Sequence, residues 1–241
     1  MNMKKIMMMA GALSALLVLL NGCFVRVGNK NYTAREWASP SEDRVTRTRE
    51  LPPFSHLVVN GSMDVVFVQE EGASRAVVTA PANVIDGIVC QIVGADLQIH
   101  FTPDSLPVRP LSPGKVEVTV YGADVQTFSL RGSGDLSVPG GVCGDELAFI
   151  LNGSGDLTAH GVEAAGAVTV ALAGSGDISL SGIDARSVSA SLRGSGDVSL
   201  AGQTVRAEYN LSGSGDIDAR GLKAESTDSR KTGSGDIRHP F

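Results

Sequence analysis

The chain has 241 residues, 42% hydrophobic and 5% aromatic, with a formal net charge of −6. That acidic balance argues against a nucleic-acid binder, which needs a basic surface to neutralise phosphates. The length allows one large domain or two small ones, and the 29 glycines form no collagen-type triplet but gather mostly in repeats in the second half.

Residues 1–22 read as a bacterial export signal. Lys4 and Lys5 precede an apolar stretch from Ile6 to Leu20, and Asn21-Gly22-Cys23 follows. A small residue before a cysteine, directly after an apolar core, resembles a lipoprotein cleavage site. Cleavage would leave Cys23 as a lipid-bearing N-terminus. It would also remove two lysines and no acids, taking the net charge to −8. Plain secretion and an uncleaved anchor are the alternatives, and the apolar stretch is shorter than the about 20 residues a membrane span needs. Phe24, not an aspartate, follows Cys23, the pattern of lipoproteins sent to the outer membrane.

Residues 23–50 are polar without sustained periodicity and read as a tether between lipid and domain. Residues 51–121 read as short strands. Alternation runs through Leu57, Val59, Gly61, Met63, Val65 and Phe67, then reappears at Arg75–Thr79, Ile88–Ile92, Leu97–Phe101 and Lys115–Tyr121. Gly61-Ser62-Met63-Asp64 reads as a degenerate copy of a motif that dominates the rest of the chain. Cys90 lies in phase with Ile88 and Ile92, and Cys143 lies in a later glycine-rich loop. An exported compartment permits a disulfide between them; two separate thiols are the alternative.

Residues 122–241 carry six Gly-Ser-Gly-Asp motifs, beginning at Gly132, Gly153, Gly174, Gly194, Gly213 and Gly233, at intervals of 19 to 21 residues. A period near twenty marks stacked coils. Alternation keeps one phase through each motif, as in Leu151, Gly153, Gly155 and Leu157. Both glycines therefore share the apolar face, and serine and aspartate point away. Paired glycines leave room for a sharp bend or for backbone to approach backbone. In a helix the same pair would cost about 2 kcal/mol. The pattern predicts an all-β, right-handed, parallel β-helix-like solenoid, with an antiparallel prism or sandwich as the alternative. Lys231 replaces the aliphatic residue before the last motif, as a polar end cap requires.

The segments Leu51-Pro52-Pro53-Phe54 through Gly61-Ser62, Val65–Gln69 and Leu97–Phe101, with the Gly-Ser-Gly-Asp array, resemble a bacterial envelope family, the putative auto-transporter adhesin, head GIN domain family. The resemblance covers about residues 51–237. It implies a β-helix-like domain on exported or lipid-anchored proteins, with no established enzymatic activity.

Three candidate chemistries follow from the repeats. The aspartate row is Asp135, Asp156, Asp177, Asp197, Asp216 and Asp236, and stacking would set its carboxylates about 4.8 Å apart. Neighbours would then repel by up to about 3 kcal/mol at an effective dielectric of about 20. Calcium could offset this; so could hydrogen bonds from nearby backbone N–H groups. The serine row, Ser133, Ser154, Ser175, Ser195, Ser214 and Ser234, makes a polar face that could meet a glycan, although Trp37 is the only tryptophan and lies in the tether. Catalysis has the least support, because evenly repeated acids assign no acid and base roles and His56, His100, His160 and His239 are scattered. The sequence thus points to a non-enzymatic envelope lipoprotein, an adhesin or interaction scaffold with a protein or glycan partner. A carbohydrate-active enzyme and a structural or stress-related periplasmic lipoprotein are the alternatives. Solenoid edges also allow self-association.

Overall fold

The computed structural model describes residues 25–27, 30–32, 40–102 and 115–240. The export signal, Cys23 and the proline-rich stretch around residues 103–114 lie outside the described residues. A short antiparallel pair, β1 (Val25–Val27) with β2 (Lys30–Tyr32), comes first.

The repeats form the expected parallel solenoid. Three lines of strand wind along it, here called the long, second and third faces. On the long face stack β10 (Thr127–Gly132), β13 (Leu147–Gly153) and the latter parts of β15 (Val162–Gly174), β16 (Ile178–Gly194), β17 (Val198–Gly213) and β18 (Ile217–Gly233). Each motif then turns the chain onto the second face, through β11 (Leu136–Val138), β14 (Leu157–His160) and the starts of β16, β17 and β18, ending at β19 (Ile237–Arg238). The third face begins at β12 (Val142–Gly144) and continues through β15.

Like residues stack because register is constant. Val59, Leu130, Leu151, Leu172, Leu192 and Leu211 form one inward column, and Val65, Leu136, Leu157, Ile178, Val198 and Ile217 another. All of them are buried in one continuous core. Phe128 stacks on Phe149 with ring centroids 5.2 Å apart, and Phe67 meets Phe128 edge-on at 5.0 Å. A one-residue slip would turn every such column outward, so the alternation fixes the register.

The N-terminal part continues the same coils, but out of chain order. β4 (His56–Gly61) lies between β10 and β8 (Asp96–Phe101), and β5 (Asp64–Gln69) lies between β11 and β9 (Glu117–Gly122), all parallel. Gly61 stacks on Gly132, so Gly61-Ser62-Met63-Asp64 is the first corner of the array. Antiparallel strands then finish this end: β7 (Ile88–Val93) beside β8, and β6 (Arg75–Pro81) beside β9. β3 (Arg44–Glu50) pairs with β6, so the last part of the stretch read as a tether is a strand. Arg47 and Arg49 interrupt its alternation, which hid it. Charged residues on such an outermost strand also discourage edge-to-edge pairing.

The opposite end is closed by polarity. Every residue from Glu225 to Gly233 is exposed, and Ser229 and Lys231 continue columns that are apolar elsewhere. Beneath them Tyr209 is fully buried, with His239 stacked at 6.0 Å. Burial pushes the Tyr209 phenol up to about 12.

Candidate functional site

Each coil turns at three corners, and the first two, after the long face and after the second face, differ. The Gly-Ser-Gly-Asp corner is built by backbone contact. A Cβ on Gly174 would sit 2.0 Å from the Gly153 carbonyl oxygen, and one on Gly176 would sit 1.9 Å from that of Gly155. Gly174 also has φ +144°. No side chain fits either position. The tight approach lets one carbonyl accept two bonds: Gly132 O receives Ser154 N–H at 2.9 Å and Gly155 N–H at 3.2 Å, and the pattern repeats up the array.

The aspartate row completes this corner. Asp156 N–H donates to Asp135 Oδ1 at 3.1 Å, Asp197 N–H to Asp177 Oδ1 at 2.8 Å, and Asp236 N–H to Asp216 Oδ1 at 2.8 Å, with Asp177 and Asp216 bonded likewise. The turn leaves these N–H groups without a backbone acceptor, and the carboxylate of the preceding coil supplies one. At the array's end, Lys231 and Arg238 hold the Asp236 carboxyl below its ordinary range. Among the described residues no three His, Cys, Asp or Glu side chains gather as a metal site. The serine row is exposed throughout, beside the aspartates.

Cys90 and Cys143 are free thiols, the second of the two arrangements that the sequence allows. Cys90 lies on β7 at the N-terminal end of the long face, opposite Ile99, while Cys143 opens the third face. Burial raises the Cys90 thiol, partly opposed by Arg49.

The second corner is irregular and carries the candidate site. After Gln69 the chain leaves for β6, so the coil of β4 and β5 places no strand on the third face. It returns from β9 along Ala123–Gln126. Between that segment and β12 opens a groove of about 960 Å³. Gln69 bridges its walls: Nε2 donates to the carbonyls of Ala123 at 2.7 Å and Cys143 at 3.0 Å, and Oε1 accepts Cys143 N–H at 2.7 Å. The side-chain amide thus makes the pair of bonds that a neighbouring strand's peptide would make.

The groove is strongly acidic. Glu70, Glu71, Asp124, Asp145 and Glu163 line it, with no lysine or arginine among the described residues. Arg75 neutralises Glu70 through two bonds of 3.0 and 3.2 Å and lies 3.8 Å over the Tyr121 ring. Glu71, Asp124, Asp145 and Glu163 are exposed, and among the described residues no ion pair engages them. His160, also in the lining, bonds Ser181 at 2.6 Å. None of these acids belongs to a repeated motif. They come from four separate segments: consecutive coils bring Asp145 to Glu163, and the out-of-order stacking adds Glu70, Glu71 and Asp124.

A parallel β-solenoid with glycine corners and an irregular opening beside its first coils is a rigid repeat scaffold. Residues 53–239 match the family described as putative auto-transporter adhesin, head GIN domain, and the chain belongs to it. The fold is shared with a putative adhesin of Bacteroides fragilis, at 19% identity and TM-score 0.65 over 84% of this chain and 100% of that one. A putative adhesin of Parabacteroides distasonis is similar at 18% identity and TM-score 0.69, covering 83% of each chain. A putative lipid binding protein of the same species is similar at 21% identity and TM-score 0.62, over 81% of this chain and 97% of that one. No curated protein matches the chain in sequence.

Proposed function

We propose that the chain is a non-enzymatic adhesion or interaction module of the bacterial envelope, exported and held by lipid at Cys23. One observation carries the reading. Five of the six repeated aspartates, the richest source of chemistry in the sequence, each turn one carboxylate oxygen to the backbone N–H of the next coil. They serve the scaffold, and recognition falls to the irregular corner. Membership of an adhesin family and the fold shared with two putative adhesins support the same conclusion.

The test is the accessibility of an epitope-tagged chain to antibody or protease, on intact against permeabilised cells. Labelling of intact cells is the expected result. Protection until permeabilisation would sink the adhesin reading and move the search to periplasmic partners. Cys23→Ala should shift the protein from the membrane to the soluble fraction; unchanged membrane association would refute the lipid anchor.

A further inference from the structure

We propose that the groove at the second corner takes an extended, lysine- or arginine-rich segment of a partner protein. The inference rests on the interaction-module reading and names the partner's chemistry. Three observations converge on it. First, about 960 Å³ is at the upper end for small-molecule pockets, and the groove is open, as suits a length of chain. Second, among the described residues no Phe, Trp or Tyr lines it, and Pro139, Gly140, Gly141 and Gly144 make one wall mostly of backbone. That wall offers no Phe, Trp or Tyr face for stacking a sugar ring. It suits an extended segment held by its side chains, since the Gln69 amide already takes the N–H and carbonyl of Cys143 that a paired strand would use. Third, four carboxylates without a cation, Glu71, Asp124, Asp145 and Glu163, face one opening. Removing them from water is unfavourable unless the occupant brings opposite charge.

Specificity follows from the surroundings. Arg75 is committed to Glu70 and Tyr121, so it does not compete for the four open carboxylates. Repulsion rejects acidic or phosphorylated segments, and long-range attraction speeds encounter with basic ones.

The experiment uses the purified full chain and two fluorescein-labelled eight-residue peptides, one alternating lysine with threonine and one alternating glutamate with threonine. Fluorescence anisotropy is read at low and at near-physiological salt. The lysine peptide should bind, the glutamate peptide should not, and salt should weaken binding. The double variant Asp145→Asn with Glu163→Gln should lose at least tenfold in affinity. Glu225→Gln with Asp228→Asn, which removes the same charge from the far end, should change it less than twofold. All four side chains are exposed, so circular dichroism should show both variants folded. Equal losses in the two variants, equal competition by spermidine, or no binding of the lysine peptide would overturn the proposal. Surface labelling of intact cells together with any of those results would leave the adhesin reading standing and remove only this one.

Discussion

The first two corners of each coil answer different demands. At the Gly-Ser-Gly-Asp corner a Cβ would meet a carbonyl oxygen at about 2 Å in every stacked copy, so the sequence repeats without variation. At the second corner the contacts vary from copy to copy. A Cβ on Gly140 would meet nothing within 4 Å and one on Gly161 would come no closer than 3.3 Å to the neighbouring coil, whereas one on Gly202 would sit 2.1 Å from the Ile183 carbonyl oxygen. There the sequence drifts from Pro139-Gly140-Gly141 to His160-Gly161 to Ser181-Gly182. A position that holds backbone against backbone cannot be tuned for a ligand, whereas one with slack can. Repetition in this chain therefore marks architecture, and its interruption marks the surface available for recognition.

The largest test of that contrast is a pair of alanines. Gly176→Ala should cost about 3 kcal/mol or more, because two backbones must part. Gly140→Ala should stay within about 0.5 kcal/mol of the parent. Urea denaturation midpoints compare them, and equal losses would erase the distinction. Next in size is the ladder. Asp177→Ala removes the acceptor of the Asp197 N–H and should cost about 1 kcal/mol. Asp177→Asn keeps an acceptor oxygen and lightens the row's charge, so it should cost less than half as much. Equal costs would mean that charge, not the acceptor, matters there.

Gln69→Ala probes the other corner. It should leave the global midpoint almost unchanged while speeding hydrogen exchange of the Cys143 amide at least tenfold, since that N–H loses its partner. The smallest effect is acid loosening of the last coil. Arg220 holds the Asp218 carboxyl at about 2, and Lys231 with Arg238 lowers that of Asp236. A depressed carboxylate contributes stability above its unfolded pKa, near 4, and loses it as pH falls through the folded value. Exchange of the amides at Ser234–Asp236 should therefore quicken between pH 4 and pH 2 before the middle of the array responds. Both groups are largely solvated, so the change should be modest.

Much of this was legible in the sequence, for identifiable reasons. Period-two alternation depends only on local residues, so the strands around Leu57, Phe67, Leu97 and Val118 were readable. So was the kinship of Gly61-Ser62-Met63-Asp64 with the later corners. The strand Arg44–Glu50 escaped because Arg47 and Arg49 break the pattern. The groove escaped for a deeper reason. Glu71, Asp124, Asp145 and Glu163 share no motif, and what brings Glu71 and Asp124 to the other two is the placing of β4 and β5 between later strands. Strand order is set by non-local pairing, which leaves no local mark.

That strand order also bears on how the chain reaches its fold. From β13 onward each coil finds its neighbour 19 to 21 residues away. Leu57, by contrast, sits between Leu97 and Phe128, partners 40 and 71 residues along the chain. Closing those longer loops costs more entropy and slows assembly. The repeats can zip once a template exists, but the template is the coil synthesised first and completed late. The rate of folding should therefore be governed by the non-repetitive end, and the six repeats should respond to it as followers.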